Sequence, residues 1–468
     1  MKLLRVRRGH SPNCSATGSI VGLALASAVG CAAIVNAFAD RFHIWTGSSP
    51  PSDGPDGDPN DDPLNSPNLP QSEDAPPRVR LESFGGILAW PNPPALLYLD
   101  HQGTKAALKA GATPIGAAPH SRRDIPKGAL SAPTEAHVSL TDRCPVKCTG
   151  CYLNAGPEAE AMASHESLER DLDALADMGV FEIALGGGEV ALHKDLIGIC
   201  ERVRARGMVP NVTTSGFGMT PSLARELAPL VGQINVSYDG TGRVYAATRG
   251  WNGERIARQA LETLKSVGVR IGVNTVLTRH TLPDLDAMGK VLADLKVDEW
   301  QWLRFKPAGR GRTSWDALAP SAESLLHIWP KAVELEERFG LAIRFDCALV
   351  PFLAAHDLPV AQLESLGITG CPGGESLWSR TTQGGWTPCS FAHDLTPSAQ
   401  DPSPAQVWRT EPTLNAWRTR AQQPQGACAQ CDYKAICRGG CRIVAHHLTG
   451  DALAPDPQCP RVLRAEGA

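Results

Sequence analysis

Ala136-His-Val-Ser-Leu140, a short apolar run, leads into Cys144-Pro-Val-Lys-Cys148-Thr-Gly-Cys151-Tyr152. Thiols spaced Cys-x3-Cys-x2-Cys can wrap three thiolates around one face of a cube-shaped iron–sulfur cluster. Such clusters usually take four Cys ligands, so three leave one iron open to a ligand from outside the protein. Zinc is the competing reading. It normally closes four tetrahedral ligands, and this loop offers three Cys with no nearby His.

Downstream of Ala136, apolar strands alternate with amphipathic helices. Strands are expected at 138–140, 181–185, 209–213, 233–237, 270–277 and 300–305. Helices are expected at 167–178, 192–206, 221–230, 255–267 and 283–295, the first with Leu168, Leu172, Leu175 and Met178 on one face. This alternation implies an α/β fold with a parallel sheet and right-handed crossovers. The six units make a partial (β/α)6 barrel of the TIM type, with its site at the C-terminal ends of the strands.

Those ends carry useful residues. The second strand runs into Gly186-Gly187-Gly188-Glu189. Consecutive glycines let backbone approach a ligand where a Cβ would clash, although such a run also makes a tight turn. The third strand ends Thr213-Thr214-Ser215-Gly216 and the fourth Ser237-Tyr238-Asp239-Gly240, with Arg249 farther on. Arg249 is able to grip a carboxylate as a planar bidentate donor. A surface ion pair for Arg249 and turn capping for Ser237 are the bland alternatives.

The thiol loop and these strand ends resemble the radical SAM superfamily. The resemblance implies that Cys144, Cys148 and Cys151 hold a [4Fe–4S] cluster whose open iron is chelated by S-adenosylmethionine, which is cleaved reductively to a 5′-deoxyadenosyl radical. It further implies that Gly187, Gly188 and Glu189 bind the methionine amino group, with Val190 where the family has Pro. Ser237 would contact the ribose or carboxylate, Arg249 the methionine carboxylate, and Tyr152 would stack near adenine. Asp239 would lie near substrate as the candidate catalytic residue.

A second thiol constellation follows: Cys371-x12-Gly384-x4-Cys389, then Cys428-x2-Cys431-x5-Cys437-x3-Cys441, then Cys459. This order resembles the SPASM domain, which implies two auxiliary iron–sulfur clusters. Cys428, Cys431, Cys437 and Cys459 would ligate the distal one, and Cys371, Cys389 and Cys441 the nearer one. The nearer set lacks an obvious fourth Cys, with Cys347 a remote candidate. Such clusters can staple a fold as well as carry electrons. Residues 303–312, Trp315 and the Cys-containing segments resemble the mycofactocin maturases most, and the pyrroloquinoline quinone maturases more distantly. Those families imply hydrogen abstraction from a ribosomally made peptide, with cross-linking or oxidative decarboxylation, and an external donor of flavodoxin or ferredoxin type. Sulfatase-maturing relatives carry Asp directly after the second SPASM Cys, where this chain has Ser390. A small-molecule substrate such as a tetrapyrrole is the alternative, and a non-catalytic zinc protein the rival of a different class. Lys306, Arg310 and Arg312 read either as a solvated loop or as the lining of a site for an acidic peptide.

At 468 residues the chain is long enough for two or three domains. Its net charge of −4 gives no pull toward nucleic acid. Ten of the 14 Cys fall into ordered groups, which in a reducing compartment means metal rather than disulfides, so a cytoplasmic location is expected. Residues 1–46 are expected as a basic start followed by a charge-free Ala/Gly-rich segment (18–39) long enough to span a bilayer. Membrane association through it stays open beside a peripheral helix or a fused peptide-like segment. Residues 47–77, rich in Pro and Asp, read as a disordered linker. Residues 78–130 read as a small β-rich unit, either a partial peptide-recognition element or a packing extension of the barrel. The radical SAM core is expected over 134–315, a helical connector over 316–366 and the SPASM domain over 367–468.

Overall fold

The computed structural model describes residues 76–90, 95–116, 129–395 and 403–467. The expectations for residues 1–46, among them membrane association through 18–39, and nearly all of the 47–77 linker lie outside the described residues. Among those described, no helix is long and apolar enough to cross a membrane. The chain divides into two compact units at Ile115/Gly116.

The first unit is a four-stranded sheet with one helix. Strands β1 (Arg78–Glu82), β2 (Gly85–Trp90) and β3 (Ala95–Asp100) form an antiparallel meander. After helix α1 (His101–Lys109), β4 (Thr113–Ile115) pairs parallel to β1, giving the order β3-β2-β1-β4. Residues 79–90 turn back on themselves at Ser83-Phe84. Gly85, at φ +145°, enters β2 so close to β3 that a Cβ would lie 2.3 Å from the Leu99 carbonyl. The helix starts at His101 because the Asp100 side chain caps it, accepting from the Gly103 amide at 2.7 Å. Val79, Leu88, Trp90, Leu99 and Ala107 make a small core.

In the second unit the expected alternation is present. Strands β5 (Glu135–Thr141), β6 (Glu182–Gly187), β7 (Val209–Thr214), β8 (Ile234–Ser237), β9 (Ile271–Leu277) and β10 (Glu299–Arg304) pair parallel in chain order. Between them run α2 (His165–Met178), α3 (Leu196–Ala205), α4 (Pro221–Leu227), α5 (Arg243–Arg249), α6 (Glu254–Ser266) and α7 (Leu285–Asp294). On α2, Leu168, Leu172, Leu175 and Met178 are buried as the periodicity requires, and Gly179 closes the helix in the left-handed conformation at φ 80°. The helix expected from residue 192 starts at Leu196, because Glu189 caps a short 3-10 turn over Val190–Leu192 first.

The sheet is wider than six strands. Strand β11 (Ile343–Phe345) extends one edge by pairing parallel to β10. At the other edge β12 (Leu377–Arg380) pairs parallel to β5 and carries the antiparallel β13 (Trp386–Thr387). The stretch expected as a helical connector therefore contributes a strand, and the sheet runs across the boundary expected at 366/367. Strands of two to four residues are too short to show a period, but they cover edges that would otherwise expose unpaired backbone. Trp378 of β12 stacks on Trp386 with ring centroids 3.9 Å apart and meets Trp408 edge-on at 5.4 Å. Arg380, wholly buried, donates to Asp171 of α2 at 2.6 Å and to Ser167 at 2.6 Å. The C-terminal strands are thus tied to the first barrel helix as well as to the first barrel strand.

Candidate active site

The loop after β5 is braced from both sides. Gly188 and Glu189 donate backbone N–H groups to the carbonyls of Thr141, at 2.5 Å, and Arg143, at 3.0 Å. A Cβ on Gly187 would lie 2.3 Å from the Thr141 carbonyl, and one on Gly188 2.1 Å from that of Arg143. Those two glycines therefore let the β6 loop press against the start of the thiol loop. Gly186 differs, because a Cβ there would meet nothing within 4 Å. The open face of the glycine run is at Gly186.

From the other side, Arg310 donates its Nε to the Cys148 carbonyl at 2.8 Å, its Nη2 to Ala155 at 2.7 Å and its amide to Cys151 at 2.9 Å. Ser314 donates to the Thr149 carbonyl at 3.0 Å. Arg310 is thus a brace of the thiol loop. Lys306 is buried in an ion pair with Asp346 and lies 4.3 Å over the Phe391 ring. Neither lines a solvated loop. Only Arg312 is as exposed as that reading requires, and it pairs with Asp394 at 2.8 Å.

Cys144 is buried, and burial first of all pushes its thiol up to about 11. Cys148 and Cys151 are half-buried. Trp251 Nε1 lies 3.3 Å from Cys148 Sγ, and Arg249 Nη1 lies 3.8 Å from it. Donors aimed at a sulfur suit a thiolate bound to metal. Arg249 Nε donates to Asp239 Oδ2 at 2.7 Å, while Asp239 Oδ1 accepts from the Val276 amide at 2.7 Å. Both Asp239 oxygens are therefore occupied in orienting Arg249 and holding β9. Tyr152 packs on Phe391 with centroids 4.6 Å apart, and burial drives its hydroxyl well above the usual range.

Glu189 is 1% exposed. Its Oε1 accepts from Thr214 Oγ1 at 2.6 Å and the Ala191 amide at 3.1 Å. Its Oε2 accepts from the Ser215 amide at 2.8 Å and from the Ser215 hydroxyl. This carboxylate fastens the ends of β6 and β7. Ser237 is half-buried at the end of β8, in register with Asn274 of β9, whose Oδ1 is buried without a partner. An orphaned acceptor beside a strand-end hydroxyl fits a polar ligand there. Asn274 and Trp251 escaped sequence reading, because only the fold brings them to the site.

Lower in the barrel, register sets Glu135 beside Glu182. Burial, then the Glu135 charge, pushes the Glu182 carboxyl up to about 7. Burial raises Glu135 too, but its hydrogen bond to and charge attraction with His137 outweigh this and leave it below its usual range. His137 also reaches Ser390 Oγ through Nδ1 at 3.1 Å.

The later thiols form two sets. Cys428, Cys431, Cys437 and Cys459 all line one pocket. Cys371, Cys389 and Cys441 are neighbours and are joined by Cys347. Burial, then Asp346 and the adjacent Cys371 and Cys441, hold the Cys347 thiol well above its ordinary value. No spacing rule could have placed Cys347 there. Among the described residues no three Cys, His, Asp or Glu side chains converge closely enough for a single metal ion. Thiols ringed around a volume suit a cube-shaped cluster better than a tetrahedral zinc, whose sulfurs sit about 2.3 Å from one centre.

An incomplete parallel barrel with a three-thiol loop at its strand ends defines a class, the enzymes of radical S-adenosylmethionine chemistry. Residues 138–290 match the family model described as the radical SAM superfamily. Proteins of this superfamily use a [4Fe–4S] cluster and S-adenosylmethionine. The chain is 29% identical over 343 residues to mycofactocin maturase MftC of Mycobacterium ulcerans, covering 70% of this chain and 88% of that protein. It is 28% identical over 354 residues to the PqqA peptide cyclase of Ruegeria pomeroyi, covering 73% and 91%. It is 29% identical over 350 residues to the pre-heme d1 synthase of Dinoroseobacter shibae, covering 69% and 84%. Among solved structures it is similar to Streptococcus suis SuiB bound to S-adenosylmethionine, with a TM-score of 0.66 and 17% identity over 83% of this chain and 99% of that one. SuiB bound to its precursor peptide SuiA gives a TM-score of 0.67 and 17% identity over 82% and 98%.

Proposed function

We propose that the protein modifies a ribosomally made peptide by hydrogen abstraction, forming a cross-link or oxidatively decarboxylating a terminus. The observation that carries this reading is the three-thiol loop at the strand ends in one unit with two further thiol sets. Similarity to a maturase and a peptide cyclase over most of their lengths supports the peptide substrate.

In this reading Cys144, Cys148 and Cys151 hold the catalytic cluster. That cluster with S-adenosylmethionine, when bound, supplies a 5′-deoxyadenosyl radical that takes a hydrogen atom. The chain's own residues position and shield. Gly186–Gly188 present backbone to the ligand, Ser237 and Asn274 offer a hydroxyl and an amide, and Tyr152 an aromatic face. Arg249, oriented by Asp239, serves the Cys148 sulfur and a ligand carboxylate together. Asp239 acts as a positioning residue, because neutralising it by a proton would remove the charge that holds Arg249 and weaken both of its hydrogen bonds. Cys371, Cys389, Cys441 and Cys347 hold the nearer auxiliary cluster, and Cys428, Cys431, Cys437 and Cys459 the distal one.

Electrons come from a low-potential donor of flavodoxin or ferredoxin type, and the enzyme works in the reducing cytoplasm. The small sheet contributes by strand addition at β3, an outer edge of six residues without proline, whereas β4 carries Pro114.

The test uses protein reconstituted without oxygen, supplied with S-adenosylmethionine and dithionite. The wild type should release 5′-deoxyadenosine, and Cys148→Ala should release none. Undiminished release by Cys148→Ala would refute the ligand assignment. The similarity to pre-heme d1 synthase favours a second reading, a tetrapyrrole substrate. Conversion of a tetrapyrrole but of no short peptide encoded beside the gene would decide for it.

A further inference from the structure

We propose that Arg420 and Arg442 form a cationic bridge between the two auxiliary thiol sets, and that this bridge raises the reduction potential of the clusters bound there. The inference rests on the reading that both sets hold iron–sulfur clusters. Arg420 is 2% exposed and Arg442 1%. They lie close enough for each to feel the other's charge. Two like charges buried together need an anion.

No carboxylate supplies it at contact distance, Asp451 reaching Arg420 only at longer range. Neither arginine forms an ion pair among the described residues, whereas three other cations around these thiols do. Arg304 pairs with Asp456 at 2.5 Å, Lys306 pairs with Asp346, and Arg438 pairs with Glu375 at 2.6 Å. Glu375 also feels Arg418 and Arg442 at longer range, but its one contact ion pair is with Arg438. Arg420 donates its Nε to the Leu453 carbonyl, and no carboxylate or carbonyl accepts from its Nη1 or Nη2. Those nitrogens face the Cys428 thiol and pack on Gly439, where an added Cβ would come within 3.1 Å of Nη2. Gly439 lines the same pocket as the four distal thiols. Arg442 directly follows Cys441 and donates its Nη2 to the Arg438 carbonyl at 3.0 Å. Its Nε and Nη1 have no partner, and its charge faces Cys371 of the nearer set.

Leaving a buried cation without a partner costs several kcal/mol, so the missing anion belongs to this place. A cluster held by thiolates carries that charge and offers sulfur acceptors. Its reduction adds one electron and breaks no bond, so a fixed cation and N–H donors stabilise the reduced form more than the oxidised one. Potential is set by net charge and by hydrogen bonds to sulfur, and each arginine contributes both. The arginines thereby make the auxiliary clusters better one-electron acceptors than the cluster of the barrel, where Arg249 and Trp251 are the side-chain donors to a thiol among the described residues.

The experiment is a potentiometric titration followed by electron paramagnetic resonance on the full-length, anaerobically reconstituted protein, with Arg420→Gln, Arg442→Gln and the two Lys variants. Each Gln variant should lower the one-electron reduction constant of the auxiliary signals at least tenfold, about 59 mV, and leave the barrel cluster unmoved. The Lys variants should recover most of the shift. Wild-type midpoints in both Gln variants, at full iron content, would overturn the proposal. If a Gln variant does not load iron, its Lys counterpart decides. A Lys variant that loads with a near wild-type midpoint supports the charge argument, and one that also fails to load makes the arginines structural and overturns it. Wild-type protein that binds only about four irons would instead overturn the cluster reading beneath the proposal.

Discussion

Glu189→Gln separates a carboxylate that fastens two strands from one that touches ligand. The buried Glu189 accepts two hydrogen bonds on each oxygen, one of each pair from a backbone amide, Ala191 on Oε1 and Ser215 on Oε2. A Gln keeps one oxygen and turns the other into an NH2 donor. Thr214 and Ser215 can rotate their hydroxyls to accept from it, but an amide N–H cannot. Whichever way the Gln is placed, one buried backbone N–H is stranded, at about 1–3 kcal/mol. The surviving bonds also lose their charge assistance, about 1 kcal/mol more for each of two. The sum is a loss of about 3–5 kcal/mol, large for a single substitution. Urea unfolding followed by far-UV circular dichroism would show it as a lowered midpoint at unchanged slope. If Glu189→Gln unfolds within about 0.5 kcal/mol of wild type while losing S-adenosylmethionine affinity, the strand-fastening argument is wrong.

Two further outcomes are expected. The Glu182 carboxyl titrates near 7 in the fold against an ordinary 4.5. A raised acid binds its proton more tightly when folded, so its stabilisation is complete below pH 4.5 and is lost as pH rises through 7. The loss is at most about 3 kcal/mol, less where water in the barrel screens the charge. Melting temperature against pH should show a fall over that window which Glu182→Gln abolishes, and an unchanged profile would discredit the burial argument. Cys347→Ala should keep the barrel and distal clusters but make the nearer one labile, with up to about four irons lost on gel filtration. Full iron with unaltered resonance signals would remove Cys347 from the ligand set.

The barrel was legible because its elements are long. Leu168, Leu172, Leu175 and Met178 declare a helix face without help from the rest of the chain, and the thiols of Cys144–Cys151 stand at the short spacing that cluster ligands need. Residues that act through tertiary proximity were not legible. Cys347, which lies 24 positions from Cys371 with no pattern between them, stands in the sequence only as a remote candidate, and Trp251 looks like any aromatic in a turn. Asp239 and Glu189 read as chemistry-bearing, yet each has both oxygens engaged, Asp239 by Arg249 and Val276 and Glu189 by Ala191, Thr214 and Ser215. Arg310 shows the reverse error, because a basic residue between glycines reads as a surface loop until its three contacts to the thiol loop are seen. The strands β11, β12 and β13 are formed by edge pairing and carry too few residues for any period.

The closure of the β5 edge by β12 has a consequence for synthesis. These partners lie about 240 residues apart, as the Thr134–Ser376 separation of 242 shows. Until Leu377 to Arg380 leave the ribosome, the first barrel strand has an unpaired outer edge and Asp171 lacks Arg380. Pairing at such separation is slow, and exposed strand edges recruit other chains. A nascent chain would thus hold a nearly finished barrel with one open seam from the completion of β10 at Arg304 until β12 emerges. Iron delivery to the Cys144–Cys151 loop during that interval would act on an intermediate still able to aggregate. The order in which the seam closes and the metal arrives then decides how much active protein a cell obtains.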